Sequence, residues 1–310
     1  MDVFTACPGT ALLIRHRSTR EEHALAGCKL TKKIRFLHIP KTAGSTFDEC
    51  LFLQYLRPYL LRRQFVFSGN FKADAKRIEA LGPAARSRVD ICTGHAPLIT
   101  GCEEFDAMPT VMLLRDPVER VKSFCQHVSE GKSPHLHDPA RKAVFDLDEF
   151  LAGERFQLSN FQARLVLGRK GYQLPAGDAD TLVARAMQNL ESKIACFGIT
   201  EDFDRSLLLF KEVLGWKSWP VYRSRNVSDQ RARIQFEARH VARIEELNRI
   251  DIALYQVARE AFIRRLAHYG PKIEEALPLF RAALGASAAR FVVIDLARGL
   301  GRAARAVRGA

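Results

Sequence analysis

Apolar residues fall into two rhythms along this chain. Short runs with few polar interruptions occur at Ile34–Ile39, Phe65–Phe67, Val89–Pro97, Thr110–Leu114 and Ile194–Ile199, and these read as strands. Between them, apolar positions recur at helical spacing. Such stretches run from Phe47 to about Arg63, from Lys72 to about Leu81 before Gly82-Pro83, and onward from Pro117. Further ones span Asn160–Gly168, Asp178–Glu191 and Leu207–Leu214, then about Gln235–Glu246 and Asn248–His268. Strands alternating with helices predict one α/β domain: a largely parallel central sheet with helices on both faces.

The breaks in this rhythm carry the chemistry. Pro40 ends the first run, because it fixes its own φ and lacks a ladder donor. Lys41-Thr42-Ala43-Gly44-Ser45-Thr46 then places a cation, small residues and three hydroxyls just ahead of a helix. Free N–H groups and the positive end of a helix dipole meet there, which predicts an anion cradle. The letters are not those of a Walker loop, since no Gly-x-x-x-x-Gly-Lys-Ser/Thr run occurs. Two more strand ends carry functional groups: Gly94-His95 at the carboxyl edge of the third run, and Arg115-Asp116-Pro117 after the fourth, with Ser123 further along that helix. In open α/β sheets, ligands bind at this carboxyl edge.

Charge sharpens the picture. A net charge of +13 on 310 residues implies an anionic partner. Residues 1–31 lack any period and read as an N-terminal arm, 32–270 as the domain, and 271–310 as a basic Ala/Arg/Leu-rich helical tail. From Arg281 onward there are six arginines and one aspartate, which suggests contact with an anionic membrane surface. The seven scattered cysteines include no C-x-x-C pair, which argues against a zinc site and a stapled secreted scaffold. No apolar run reaches the roughly 18–20 residues that span a bilayer. A cytoplasmic protein is the expectation.

The order Pro-Lys-Thr-Ala-Gly-Ser-Thr after a hydrophobic strand resembles the 5′-phosphosulfate loop of sulfotransferases that use 3′-phosphoadenosine 5′-phosphosulfate (PAPS). Arg115-Asp-Pro-Val-Glu-Arg-x-x-Ser123 is similar to their 3′-phosphate motif. Asn160-Phe-Gln-Ala-Arg164, Phe197-Gly-Ile-Thr-Glu-Asp-Phe203 and Asn248-x-x-Asp251 resemble segments of the carbohydrate O-sulfotransferase branch, which includes the uronyl and heparan sulfate 2-O-sulfotransferases and bacterial relatives.

The resemblance implies a P-loop-like sulfotransferase fold that moves a sulfuryl group from PAPS to a hydroxyl acceptor, a sugar or glycolipid. It releases 3′-phosphoadenosine 5′-phosphate (PAP), without metal and without nucleic acid. It assigns Lys41 and the amides and hydroxyls of Thr42, Ala43, Gly44, Ser45, Thr46 and Phe47 to the phosphosulfate, and Arg115 and Ser123 to the 3′-phosphate. Arg223, Ser224, Asn226 and Ser228 match a late segment near the nucleotide. Arg164 is expected to meet the acceptor or the phosphosulfate, and His95 is the expected general base, as a side chain titrating near neutral pH suits that task. His38 reads as a core residue and Glu201-Asp202 as a helix cap. Two other classes stay open: a magnesium-dependent P-loop-like kinase, with Asp116 as nearest metal ligand, and a non-enzymatic anion-binding or membrane-surface protein.

Overall fold

A computed structural model describes residues 32–133, 135–138, 144–168, 172–223, 233–287, 291–292 and 295. Five parallel strands form one sheet: β1 (Ile34–Leu37), β2 (Gln64–Phe67), β3 (Ile91–Gly94), β4 (Thr110–Leu114) and β5 (Cys196–Ile199), in the order β2-β3-β1-β4-β5. Every residue of β1, β3, β4 and β5 is buried, as expected of strands covered on both faces. Adjacent residues of β3 show both covers. Ile91 belongs to the main cluster with Ile34, Val111 and Phe210, whereas Cys92 points into a second cluster with Phe65, Phe67 and Phe105. Edge strand β2 alternates, with Phe65 and Phe67 buried and Gln64 and Val66 exposed.

Strand order fixes where a ligand can sit. The chain lays β2 and β3 on one side of β1, then crosses to place β4 and β5 on the other. Phe36 of β1 lies opposite Thr93 on one side and Val111 on the other. The switch point is therefore the carboxyl end of β1, between the ends of β3 and β4.

Helices α1 (Gly44–Gln54) and α2 (Leu56–Leu60) follow β1; α3 (Phe71–Ser87) follows β2; α4 (Glu103–Asp106) follows β3; α5 (Pro117–Ser129) follows β4. After them come α6 (Leu147–Ala152), α7 (Phe161–Leu167), α8 (Ala179–Ser192), α9 (Phe203–Leu214), α10 (Ala238–Leu247) and α11 (Arg249–Gly285).

Two helices differ from their sequence patterns for physical reasons. In α3, Gly82 adopts φ 65°, ψ 163° and interrupts the helix, which resumes at Pro83 and runs to Ser87. Proline suits a first helical position because its missing N–H has no intrahelical partner there. Helix α11 runs straight through Pro271 and Pro278, so the boundary drawn at 271 falls inside it. Ile273, Leu277 and Phe280 continue the buried stripe of Leu254, Ala258 and Phe262. Burial of three such side chains, at roughly 1.5–3 kcal/mol each, matches two interior prolines at roughly 3 kcal/mol each.

One buried charge braces the switch point. The Arg35 side chain in β1 donates to Leu98 O at 2.6 Å, to Asp106 Oδ1 at 3.2 Å and to the Pro97 carbonyl. Those bonds fasten the segment just beyond β3 to the middle of the sheet.

Candidate active site

The turn between β1 and α1 is held in an uncommon conformation. Lys41 and Ala43 both have positive φ, 71° and 59°, on either side of Thr42. For residues with a Cβ this is strained, and such strain concentrates at ligand clamps. The Thr42 hydroxyl donates to Ile39 O at 2.8 Å, so it braces the turn from inside rather than facing a ligand. Ala43 offers no side-chain cap to α1. The first amides of the helix, at Gly44 and Ser45, thus lack intrahelical acceptors at its positive end.

His38 explains why Gly44 is glycine. A Cβ there would lie 1.9 Å from His38 Nε2. The His38 ring stacks on Phe36 with centroids 5.1 Å apart and sits 4.7 Å from the His95 ring. Burial, followed by the charges of His95 and Lys41, pushes the His38 pKa down to about 3. His38 is therefore neutral at physiological pH and acts as the floor of the turn.

His95 is oriented by that floor. Its Nδ1 lies 2.7 Å from the His38 carbonyl. A carbonyl only accepts, so Nδ1 carries the proton and Nε2 keeps a free lone pair. Burial lowers the His95 pKa, against the His38 hydrogen bond and the Asp74 charge, which favour protonation. Gly94 (φ 113°) makes the approach possible, since a Cβ there would meet Phe67 O at 2.2 Å.

Across the switch point, Arg115 leaves the end of β4. Its Nη1 donates to the Lys41 carbonyl at 3.0 Å. Gln162 grips the Arg115 backbone twice, accepting from its N–H at 3.0 Å and donating to its carbonyl at 2.8 Å. Lys41, Arg115 and Ser123 line a single cleft of about 290 Å³, together with His127, Lys132 and Arg233. Burial, then the Lys132 and Arg115 charges, lowers the Lys41 pKa to about 8. Burial and the same lysine neighbourhood push His127 to about 4. Glu119 and Glu130 also line this cleft, and Glu130 pairs with Lys132 and partly offsets the repulsion on Lys41.

His127 was absent from the sequence-derived site. Its signal was helical spacing: it lies four residues after Ser123 and so shares that face of α5. The motif around Asn160 proves to be a brace. Asp251, fully buried in α11, accepts from the N–H groups of Gln162 and Ala163 at 3.0 and 2.7 Å. Asn160 Oδ1 accepts from the N–H groups of Ile250 and Asp251, and Asn248 Oδ1 from Asn160 N–H. Segments nearly ninety residues apart are locked together, and through Gln162 they set Arg115.

Other expected site residues have protein partners here. Arg164 donates to Ser159 O and Tyr172 O at 2.6 and 2.9 Å. Arg223 is ion-paired with Glu49 and Asp295. Ser224, Asn226 and Ser228 lie outside the described residues. Asp116 caps α5, accepting from Glu119 N–H at 3.0 Å. Glu201 accepts from Asp116 N–H and the Tyr255 hydroxyl, which gives it a structural bridge to the same turn.

The donor set (ammonium, helix amides, guanidinium, hydroxyl) suits a ligand with two separate phosphate-like groups. Comparison with known proteins points the same way. The sequence profile of the galactose-3-O-sulfotransferase family matches residues 10–285. Heparan-sulfate 6-O-sulfotransferase 2 of Gallus gallus is 26% identical over 284 residues, covering 77% of this chain and 69% of the relative. The Danio rerio enzyme of that name is 27% identical over 282 residues, covering 75% and 58%. Human heparan-sulfate 6-O-sulfotransferase 1 is 28% identical over 180 residues, covering 50% and 43%. The chain thus spans about two fifths to two thirds of these relatives, which are named for the 6-O position rather than 2-O. With its profile matched over most of its length, the chain belongs to the galactose-3-O-sulfotransferase family of carbohydrate sulfotransferases.

Proposed function

We infer that the protein transfers a sulfuryl group from PAPS to a hydroxyl of a carbohydrate acceptor. The observation that carries this reading is the meeting of the Lys41 and Arg115 turns on one cleft at the sheet's switch point. The Lys41 turn and the α1 amides would hold the 5′-phosphosulfate end, and Arg115 and Ser123 the 3′-phosphate. The guanidinium contributes paired donors in a fixed fork, and the hydroxyl a further contact.

This reading gives each group a chemical task. In-line sulfuryl transfer, like phosphoryl transfer, builds charge on the departing phosphate oxygen. The Lys41 ammonium and the α1 amides would stabilise that charge. His95 Nε2, left as an acceptor by the Nδ1 bond to the His38 carbonyl, would take the acceptor hydroxyl proton. Incubation with ³⁵S-labelled PAPS, magnesium-free, against galactose-terminated and heparosan-type oligosaccharides tests the reading. Label in a sugar, at least tenfold reduced in Lys41→Ala, supports it. Label confined to free sulfate with every acceptor contradicts it.

A further inference from the structure

Beside His95 the chain builds a strip of aromatic rings that the donor site does not use. Tyr172 has its hydroxyl 2.5 Å from the His95 carbonyl and 3.1 Å from that of Gly69, donating to this pair. Phe71 meets the Tyr172 ring edge-on at 4.8 Å, and Phe161 is tilted against it at 5.4 Å. Phe156 lies almost parallel to Tyr172, centroids 4.9 Å apart and planes within 10°. Tyr172 is 5% exposed, whereas Phe156 is 40% exposed. A large ring is thus fixed in orientation by stacking on a buried tyrosine while much of its own surface meets water.

Packing alone accounts poorly for this. Phe156 lies in a short 3-10 turn (Phe156–Leu158) whose Leu158 is fully buried and anchors the turn to the core. The exposed phenylalanine adds little to that anchor. Aromatic faces carry partial negative charge, and the C–H groups along one face of a pyranose present partial positive charge and apolar area. A ring already immobilised loses little entropy when a sugar stacks on it.

We propose that Phe156, backed by Tyr172 and flanked by Phe71, is a stacking platform for a pyranose ring of the acceptor, one subsite from the hydroxyl that His95 deprotonates. The platform deepens the sulfotransferase reading and rests on it. It sorts acceptors by ring shape: pyranosides seat on it, and acyclic alcohols gain nothing from it.

The test is binding, kept apart from transfer. PAP-loaded wild type, Phe156→Ala and Phe156→Trp would be titrated with N-acetyllactosamine and with a heparosan tetrasaccharide, followed by saturation-transfer NMR. The expected result is saturation of the ring C–H protons of one probe and an affinity about three- to tenfold weaker in Phe156→Ala. Phe156→Trp should restore that affinity, and PAP affinity should be equal in all three. Wild-type sugar affinity in Phe156→Ala, or no saturation of either probe by PAP-loaded wild type, overturns the platform. Undiminished PAP binding in that case leaves the donor-site reading standing, whereas loss of PAP binding in the wild type removes both.

Discussion

The Arg115 guanidinium donates to the backbone carbonyl of Lys41 at 3.0 Å, tying two strand ends 74 residues apart into one wall of the cleft. Both turns depend on what lies beneath them, and each support can be tested separately.

Lys41 should make nucleotide affinity depend on alkaline pH. Its pKa is lowered to about 8 in the cleft, so above that pH the empty protein loses the ammonium and ligand binding must take up a proton. PAP affinity is expected to be flat below pH 7.5 and to fall by up to tenfold per pH unit above about 8. Lys41→Arg, charged throughout, should flatten the upper limb. Calorimetry in two buffers of different ionisation enthalpy reads the proton directly.

His95 should govern the acid side. Burial holds its pKa below the ordinary 6.5, so it is neutral at pH 7 and becomes protonated only below 6.5. The expected kcat/KM profile has an acid limb that begins under pH 6.5. His95→Asn should lower kcat at least tenfold with little change in PAP affinity. A near-normal rate in that variant would remove the histidine as base.

The Gly44–His38 contact predicts a rescue. Gly44→Ala puts a methyl 1.9 Å from His38 Nε2 and should destabilise the protein by about 1–3 kcal/mol while distorting the Lys41 turn. His38→Ala opens that space. The double variant should therefore be less destabilised than the sum of the singles, measured by urea unfolding. Strict additivity would mean the turn does not rest on the histidine.

Much of the fold was legible because buried parallel strands leave unbroken apolar runs, and β4 lies at Thr110–Leu114 as the run predicts. The meeting of Lys41 and Arg115 in the candidate site was legible where chemistry coincides with punctuation: Pro40 before Lys41, and Pro117 after Arg115. What sequence could not show is partnership across the fold. Arg35 reads as part of a strand, yet its side chain holds the carbonyls of Pro97 and Leu98. Arg164 reads as a ligand contact, and its guanidinium holds two backbone carbonyls. The helix through Pro271 was obscured because proline is a local signal, while the burial that overrides it comes from tertiary contacts.

The Asp251 brace should matter for stability and, through Gln162, for Arg115. Asp251→Ala leaves two buried N–H groups without acceptors and removes a carboxylate whose charge favours the buried Arg120 guanidinium. A loss of about 3–5 kcal/mol is expected by urea unfolding. A loss under about 1 kcal/mol would show that α7 is held by its apolar contacts alone.

The central claim is that one nucleotide bridges the Lys41 and Arg115 turns. Magnesium-free calorimetry with PAP and with adenosine 5′-monophosphate, which differ by the 3′-phosphate, tests it on wild type and Arg115→Ala. Wild type should bind PAP at least about tenfold more tightly, as expected of a guanidinium–phosphate pair, and Arg115→Ala should bind the two nearly equally. Equal binding of both nucleotides by wild type, or an undiminished PAP preference in Arg115→Ala, would contradict it.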